Sequence, residues 1–180
     1  MTVFNYFARK EELMLDRNDD LLLLPLRTAI RERPKGQAPL DALRGLVATL
    51  HEQEQPIAHI DARSIGWWRV VASSPSLKAR LHELDDEAKE GLALELAPKP
   101  DGLAHLMAGM IVLSVRTARE EAIRVLERGG SAKKANAELL ALMERGLAAV
   151  EQMAEPTKVA SLHGAQGARR AQSSATRRQP

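Results

Sequence analysis

Residues 2 to 16 read Thr2-Val-Phe-Asn-Tyr-Phe-Ala-Arg-Lys-Glu-Glu-Leu-Met-Leu-Asp16. Thr2 to Phe7 carry no N-cap and follow no turn, so the string starts in what reads as the middle of a helix. Three of the five aromatic residues, Phe4, Tyr6 and Phe7, fall in this short run. A break at Ala8-Arg9 follows, and Lys10-Glu11-Glu12-Leu13 opens a second helix with two carboxylates at its positive end.

Outward from this stretch, composition points to helices throughout. Ala, Leu, Arg and Glu abound, and aromatics make up only 3% of 180 residues. These are strong helix formers, whereas strands favour β-branched and aromatic residues. A chain of this size can bury roughly 70% of its unfolded surface, so the core needs no staples. There is no Cys, hence no disulfide framework and no thiolate metal site. The net charge of +2 hides an asymmetry: residues 156–180 hold five basic and no acidic residues, leaving residues 1–155 at −3. The basic pI is therefore largely a property of the tail, and weak support for nucleic-acid binding by the body. Apolar runs are far too short to span a bilayer and no signal-peptide pattern opens the chain, so a cytoplasmic protein is expected.

Periodicity and punctuation place the remaining elements. A helix is expected from Lys10 to Arg33, kinked or broken by Pro25, with Leu13, Leu21, Leu24 and Ile30 toward a core. Further helices are expected over Leu40–Glu54, His59–Ala72, Pro75–Leu96, Gly102–Arg128 and Ala132–Glu155. Ser74, Asp101 and Ser131 are the expected N-caps of the last three. The helix from Gly102 is apolar on two sides in its first half, with Leu103, Leu106, Met107, Met110 and Leu113 on one stripe. Ile111, Val115, Ala118, Ala122 and Val125 form the other, so more than one face needs cover. Gly129-Gly130 joins the last two helices into a hairpin. The chain thus divides into 1–33, the closing part of a small module plus a connecting helix; 34–155, a helical body; and 156–180, a tail expected to be disordered.

The opening string resembles the end of the helix-turn-helix of TetR-type bacterial transcriptional regulators. Their recognition helix ends in a Thr-aliphatic-aromatic-x-aromatic/His-Phe pattern, and a two-residue gap leads to Lys-Glu-x-Leu. Thr2, Val3, Phe4, Tyr6, Phe7, Lys10, Glu11 and Leu13 match it. The resemblance implies an all-α chain with a TetR-type ligand-binding and dimerisation domain, preceded by further helices of the reading head. It thus leads us to expect either a longer gene product in which Met1 is internal, the favoured reading, or a truncated protein without most of its DNA-reading module. It also implies DNA contact by Thr2, Phe4, Asn5, Tyr6 and Lys10. The Tyr6 hydroxyl and the Lys10 ammonium can each bind a phosphate oxygen, whereas Phe4 offers only apolar contact. The segment Arg69–Arg80 resembles a subgroup assigned acyl-CoA-like ligands.

By the same resemblance an effector cavity lies among the middle helices, with His59, Arg63, Trp67, Trp68, Met107 and Met110 as candidates. Adjacent residues do not share a helix face, so at most one tryptophan points fully into it. Flexible Met side chains suit a cavity that adapts to varied ligands. The last two helices would pair with their copies as a four-helix bundle, through Val115, Ala122, Leu139, Leu142, Gly146 and Val150. Catalysis finds little support: no His-Glu-x-x-His, phosphate loop, Gly-x-Ser-x-Gly elbow or dinucleotide fingerprint is present, and no cofactor is expected. The expected function is ligand-responsive regulation, repression in the family's manner, with operator DNA, a small hydrophobic or amphipathic effector and a second copy as partners. The alternative is a ligand-binding or heterodimerising protein with no DNA contact of its own.

Overall fold

The computed structural model describes residues 23–154. Among them it is all-α, with six helices and no strand: α1 Leu24–Arg31, α2 Pro39–Glu52, α3 Ala62–Ser73, α4 Pro75–Leu96, α5 Gly102–Glu127 and α6 Ala132–Ala154. The all-helical expectation is borne out. None of these helices is long and apolar enough to cross a membrane. The expected disorder of the tail and the opening recognition-helix string lie outside the described residues.

Local chemistry sets where each helix starts. Pro25 sits at the start of α1, where its missing N–H leaves no gap, so what is seen of the expected kink or break is a boundary. Leu23, the residue before α1, adopts the left-handed region, φ 52°. Starting there, α1 turns Leu26 and Ile30 inward and leaves Leu24 only half-buried. α2 likewise begins at a proline and buries Leu40, Leu43 and Val47. α3 begins later than the apolar pattern suggests, because Asp61 forms a capping box. The Ser64 N–H donates to Asp61 Oδ1 (3.0 Å), and Ser64 Oγ lies 3.5 Å from the Asp61 N–H. Ser74 and Asp101 cap α4 and α5 as expected, accepting from the N–H groups of Leu77 (3.4 Å) and Ala104 (2.9 Å). Ser131 accepts from the Lys134 N–H (3.2 Å) and so caps α6.

The α5–α6 hairpin is the spine. It turns at Gly129, whose φ of 81° favours glycine. Ile111, Val115, Ala118 and Ala122 of α5 meet Ala135, Leu139, Met143, Leu147 and Val150 of α6 in one core. α4 packs along α5, α3 covers both, α1 lies on α2 and α4, and α2 reaches α6. Leu26 and Ile30 share that core with Leu43 and Leu92, so a division at residue 33 would cut through one packed unit.

Two polar devices join distant segments. The buried Asn136 side chain accepts from the Ile60 N–H (2.8 Å) and donates to the carbonyls of Ile60 (2.8 Å) and Ala132 (3.0 Å). It therefore satisfies both backbone groups of a non-helical residue that has no ladder to join. Arg44 of α2 reaches Glu144 (3.0 Å) and Glu151 (2.7 Å) on α6. The hydrogen bond from Arg44 holds the Glu151 carboxyl below its ordinary range.

Candidate functional site

A cavity of about 140 Å³ opens between α3, α4 and α5. Leu81 and Leu84 of α4 and Val112 and Val115 of α5 form apolar wall, and Trp68 closes one side. Trp68 belongs to the main core and also to a smaller cluster of Val71, Leu77 and Leu84, so it is the hinge of apolar packing between them. Trp67 stands edge-on to it, ring centroids 4.5 Å apart at 89°. Only Trp68 of the two lines the cavity, as adjacent positions on one helix require.

The polar rim is asymmetric. Lys78, Arg116 and Arg119 face Asp85 and Glu120, with His82 beside them. Arg116 draws both carboxylates to itself, Asp85 at 2.9 Å and Glu120 at 3.9 Å. The Arg119 guanidinium lies 5.4 Å from the Trp68 ring centroid, a cation–π placement. Lys78 has no ion-pair partner among the described residues. Leu23 also lines the cavity, so its wall includes the residue at which the described body begins, next to the N-terminal stretch.

Of the residues expected to line an effector cavity, Trp68 alone lines this one. His59 lies before α3, its ring 5.9 Å from that of His51, because the helix starts only at Ala62. The Arg63 side chain is 93% exposed and pairs with Asp61, whose carboxyl it holds below the usual range together with the Ser64 N–H and hydroxyl. Met107 and Met110 are half-buried against the main core, on a face of α5 turned away from this cavity. Lys78, Arg116 and Arg119 were not expected. One signal could have found the α5 part: Val112, Val115, Arg116 and Arg119 recur at i, i+3, i+4, i+7 and share one helix face.

The expected dimer residues are placed differently too. Val115, Ala122, Leu139 and Val150 are buried inside the chain, within the core between α5 and α6, so they present nothing to a second copy. Gly146 meets Ser114 of α5, and Leu142 packs against the same core. The surplus apolar surface is on the other stripe of α5, where Leu103, Leu106 and Leu113 are 45%, 55% and 49% exposed. The two-sided apolar pattern was legible, but which side the chain covers itself depends on α6 supplying Ala135, Leu139 and Met143. Thr2, Phe4, Asn5, Tyr6 and Lys10 lie outside the described residues.

No group of three or more His, Asp or Glu side chains among the described residues is placed to hold a metal ion. Comparison of the chain with protein-family models, with curated proteins and with solved structures finds no match.

Proposed function

We propose that this chain is a TetR-type ligand-responsive transcriptional regulator that binds operator DNA as a homodimer and is released by a small amphipathic effector. The observation that carries the reading is the cavity whose wall runs from Trp68 to Leu23. A ligand filling it presses on the point where the N-terminal stretch meets the helical body. Leu23 is held with φ 52°, a conformation that disfavours a bulky side chain by about 1–2 kcal/mol, so its geometry is open to change. The resemblance of residues 2–16 to the end of a helix-turn-helix supplies the DNA-reading role. The exposed Leu103, Leu106 and Leu113 supply an apolar stripe on which a second copy can pack.

The test is selection of host genomic fragments by the protein purified from its own host, at low and then physiological salt. Binding that is lost on Tyr6→Ala or Lys10→Ala and weakened by salt is expected. No binding at low salt removes the regulator reading and leaves a ligand-binding protein. Self-association is read in parallel by sedimentation. Leu106→Glu is expected to weaken the dimer at least about tenfold while helical content is unchanged; an unaffected dimer places the interface elsewhere.

A further inference from the structure

We infer that His51 and His59 together bind one divalent late transition-metal ion, of the zinc, nickel or copper class, which clips the end of α2 to the segment entering α3. The inference goes beyond the regulator reading and involves none of the residues lining its cavity.

Spacing comes first. His51 lies in the last turn of α2, and His59 lies in the segment between α2 and α3. The fold brings their ring centres to 5.9 Å, with the rings tilted by 33°. With metal–nitrogen bonds of about 2.0–2.1 Å, two imidazoles on one ion hold their centres about 4.5–6.4 Å apart. The observed spacing falls inside that range.

Both rings are held from behind. His51 Nδ1 lies 2.9 Å from the Ala58 carbonyl oxygen. A carbonyl only accepts, so Nδ1 carries the proton and Nε2 of the neutral ring keeps a lone pair for a metal. Donation from the second nitrogen to a backbone carbonyl is what fixes the tautomer and orientation of metal-ligating imidazoles. His59 stands between Ala58 and Ile60, which are 0% and 2% exposed. Asn136 pins Ile60 through both its backbone groups. His59 is half-buried, and neither of its ring nitrogens is hydrogen-bonded among the described residues. One anchored segment, Ala58 to Ile60, therefore positions both rings.

Charge comes next. Between Arg44 and Arg63 the sequence has no Lys or Arg but holds Glu52, Glu54 and Asp61. Asp61 is taken by Arg63, whereas Glu52 and Glu54 are exposed and without an ion-pair partner among the described residues. The C-terminal end of α2 also favours a cation. No third His, Asp or Glu among the described residues completes the group, so water fills the remaining positions. Imidazole ligands select zinc, nickel or copper over magnesium and calcium, which take oxygen.

The experiment is a calorimetric titration of the untagged, metal-stripped full chain with zinc, nickel and copper(II) chlorides, and with magnesium chloride as control. One ion per chain is expected, tightest for copper, with no saturable uptake of magnesium. Electron paramagnetic resonance of the copper form is expected to show two imidazole nitrogens. His51→Gln and His59→Gln are each expected to weaken binding at least about tenfold with helical content unchanged. His59→Gln removes no hydrogen bond made by that ring among the described residues, so it tests the site without disturbing the fold. His105→Gln and His163→Gln are expected to leave binding as it was. Binding that survives His59→Gln, a single nitrogen on copper, or no saturable uptake of any of the three ions up to about 1 mM each overturns the assignment and leaves the two rings as packing. None of these readouts involves DNA or an effector, so failure of the regulator reading leaves this inference standing.

Discussion

Replacing Asn136 by alanine removes three hydrogen bonds at once and leaves the N–H and C=O of Ile60 unpaired in a buried setting. An unsatisfied buried polar group costs about 1–3 kcal/mol, so Asn136→Ala is expected to lose about 3 kcal/mol in urea unfolding. A loss within about 0.5 kcal/mol would mean that water replaces the amide. Glu54 is the opposite case. It is exposed and sits at φ 52°, where a side chain is strained and glycine is not. Glu54→Gly is expected to stabilise the protein by about 0.5 kcal/mol, the relief of strain exceeding the extra freedom of the unfolded chain. Neither residue stands out in the sequence. Asn136 reads as one polar position on an amphipathic helix, and only its nearness to Ile60, 76 positions away, reveals its task.

At the scale of elements, α5 and α6 approach closely at Gly146. A Cβ placed on Gly146 would lie 2.0 Å from Ser114 Oγ and 2.4 Å from Ser114 Cβ. Ser114 cannot swing its Cβ aside, and its hydroxyl is already bonded to the Met110 carbonyl (2.6 Å). Gly146→Ala should therefore force the helices apart. Overpacking costs about 1–3 kcal/mol, against a gain of about 1 kcal/mol in helix propensity. A net loss of about 1 kcal/mol is expected in thermal unfolding. Adding Ser114→Gly should restore most of it, since the pair then fits as before with its partners exchanged. Failure of that rescue would mean that the close approach is not what limits the site. The hairpin itself was legible from Gly129-Gly130 and the paired apolar stripes. Its inner face was not, and Leu139→Arg, which as an interface change would have given monomers, is now expected to unfold the chain because Leu139 is only 1% exposed.

For the whole molecule, the clamp between α2 and α6 sets a pH dependence. Glu151 has a carboxyl pKa lowered in the fold, chiefly by the hydrogen bond from Arg44. A depressed carboxyl contributes stability above its unfolded value, about 4.3, and loses it as pH falls through the folded value. The contribution is thus present at neutral pH and disappears in acid. Arg44→Met is expected to lower the melting temperature at pH 7, and the gap from the wild type should close below pH about 4. Added salt at pH 7 should narrow the same gap, since the carboxylates involved are about half exposed. A gap that is constant across pH would assign the loss to packing of the arginine stem instead.

What the sequence determined by itself is what depends on near neighbours. The helical class, the caps at Ser74, Asp101 and Ser131, the proline starts and the glycine turn follow from interactions within a few residues, and those are written in order along the chain. What the tertiary structure decided is which faces meet. Pro25 reads as a kink within a helix or as a break in one, and the start of α1 at Leu24, after the left-handed Leu23, puts a boundary there. Two apolar stripes on α5 look alike until α6 covers one and leaves Leu103, Leu106 and Leu113 outside. Trp68 and Arg119 become one wall only once α3 lies across α5, because a cavity is a relation between helices rather than a property of any one of them.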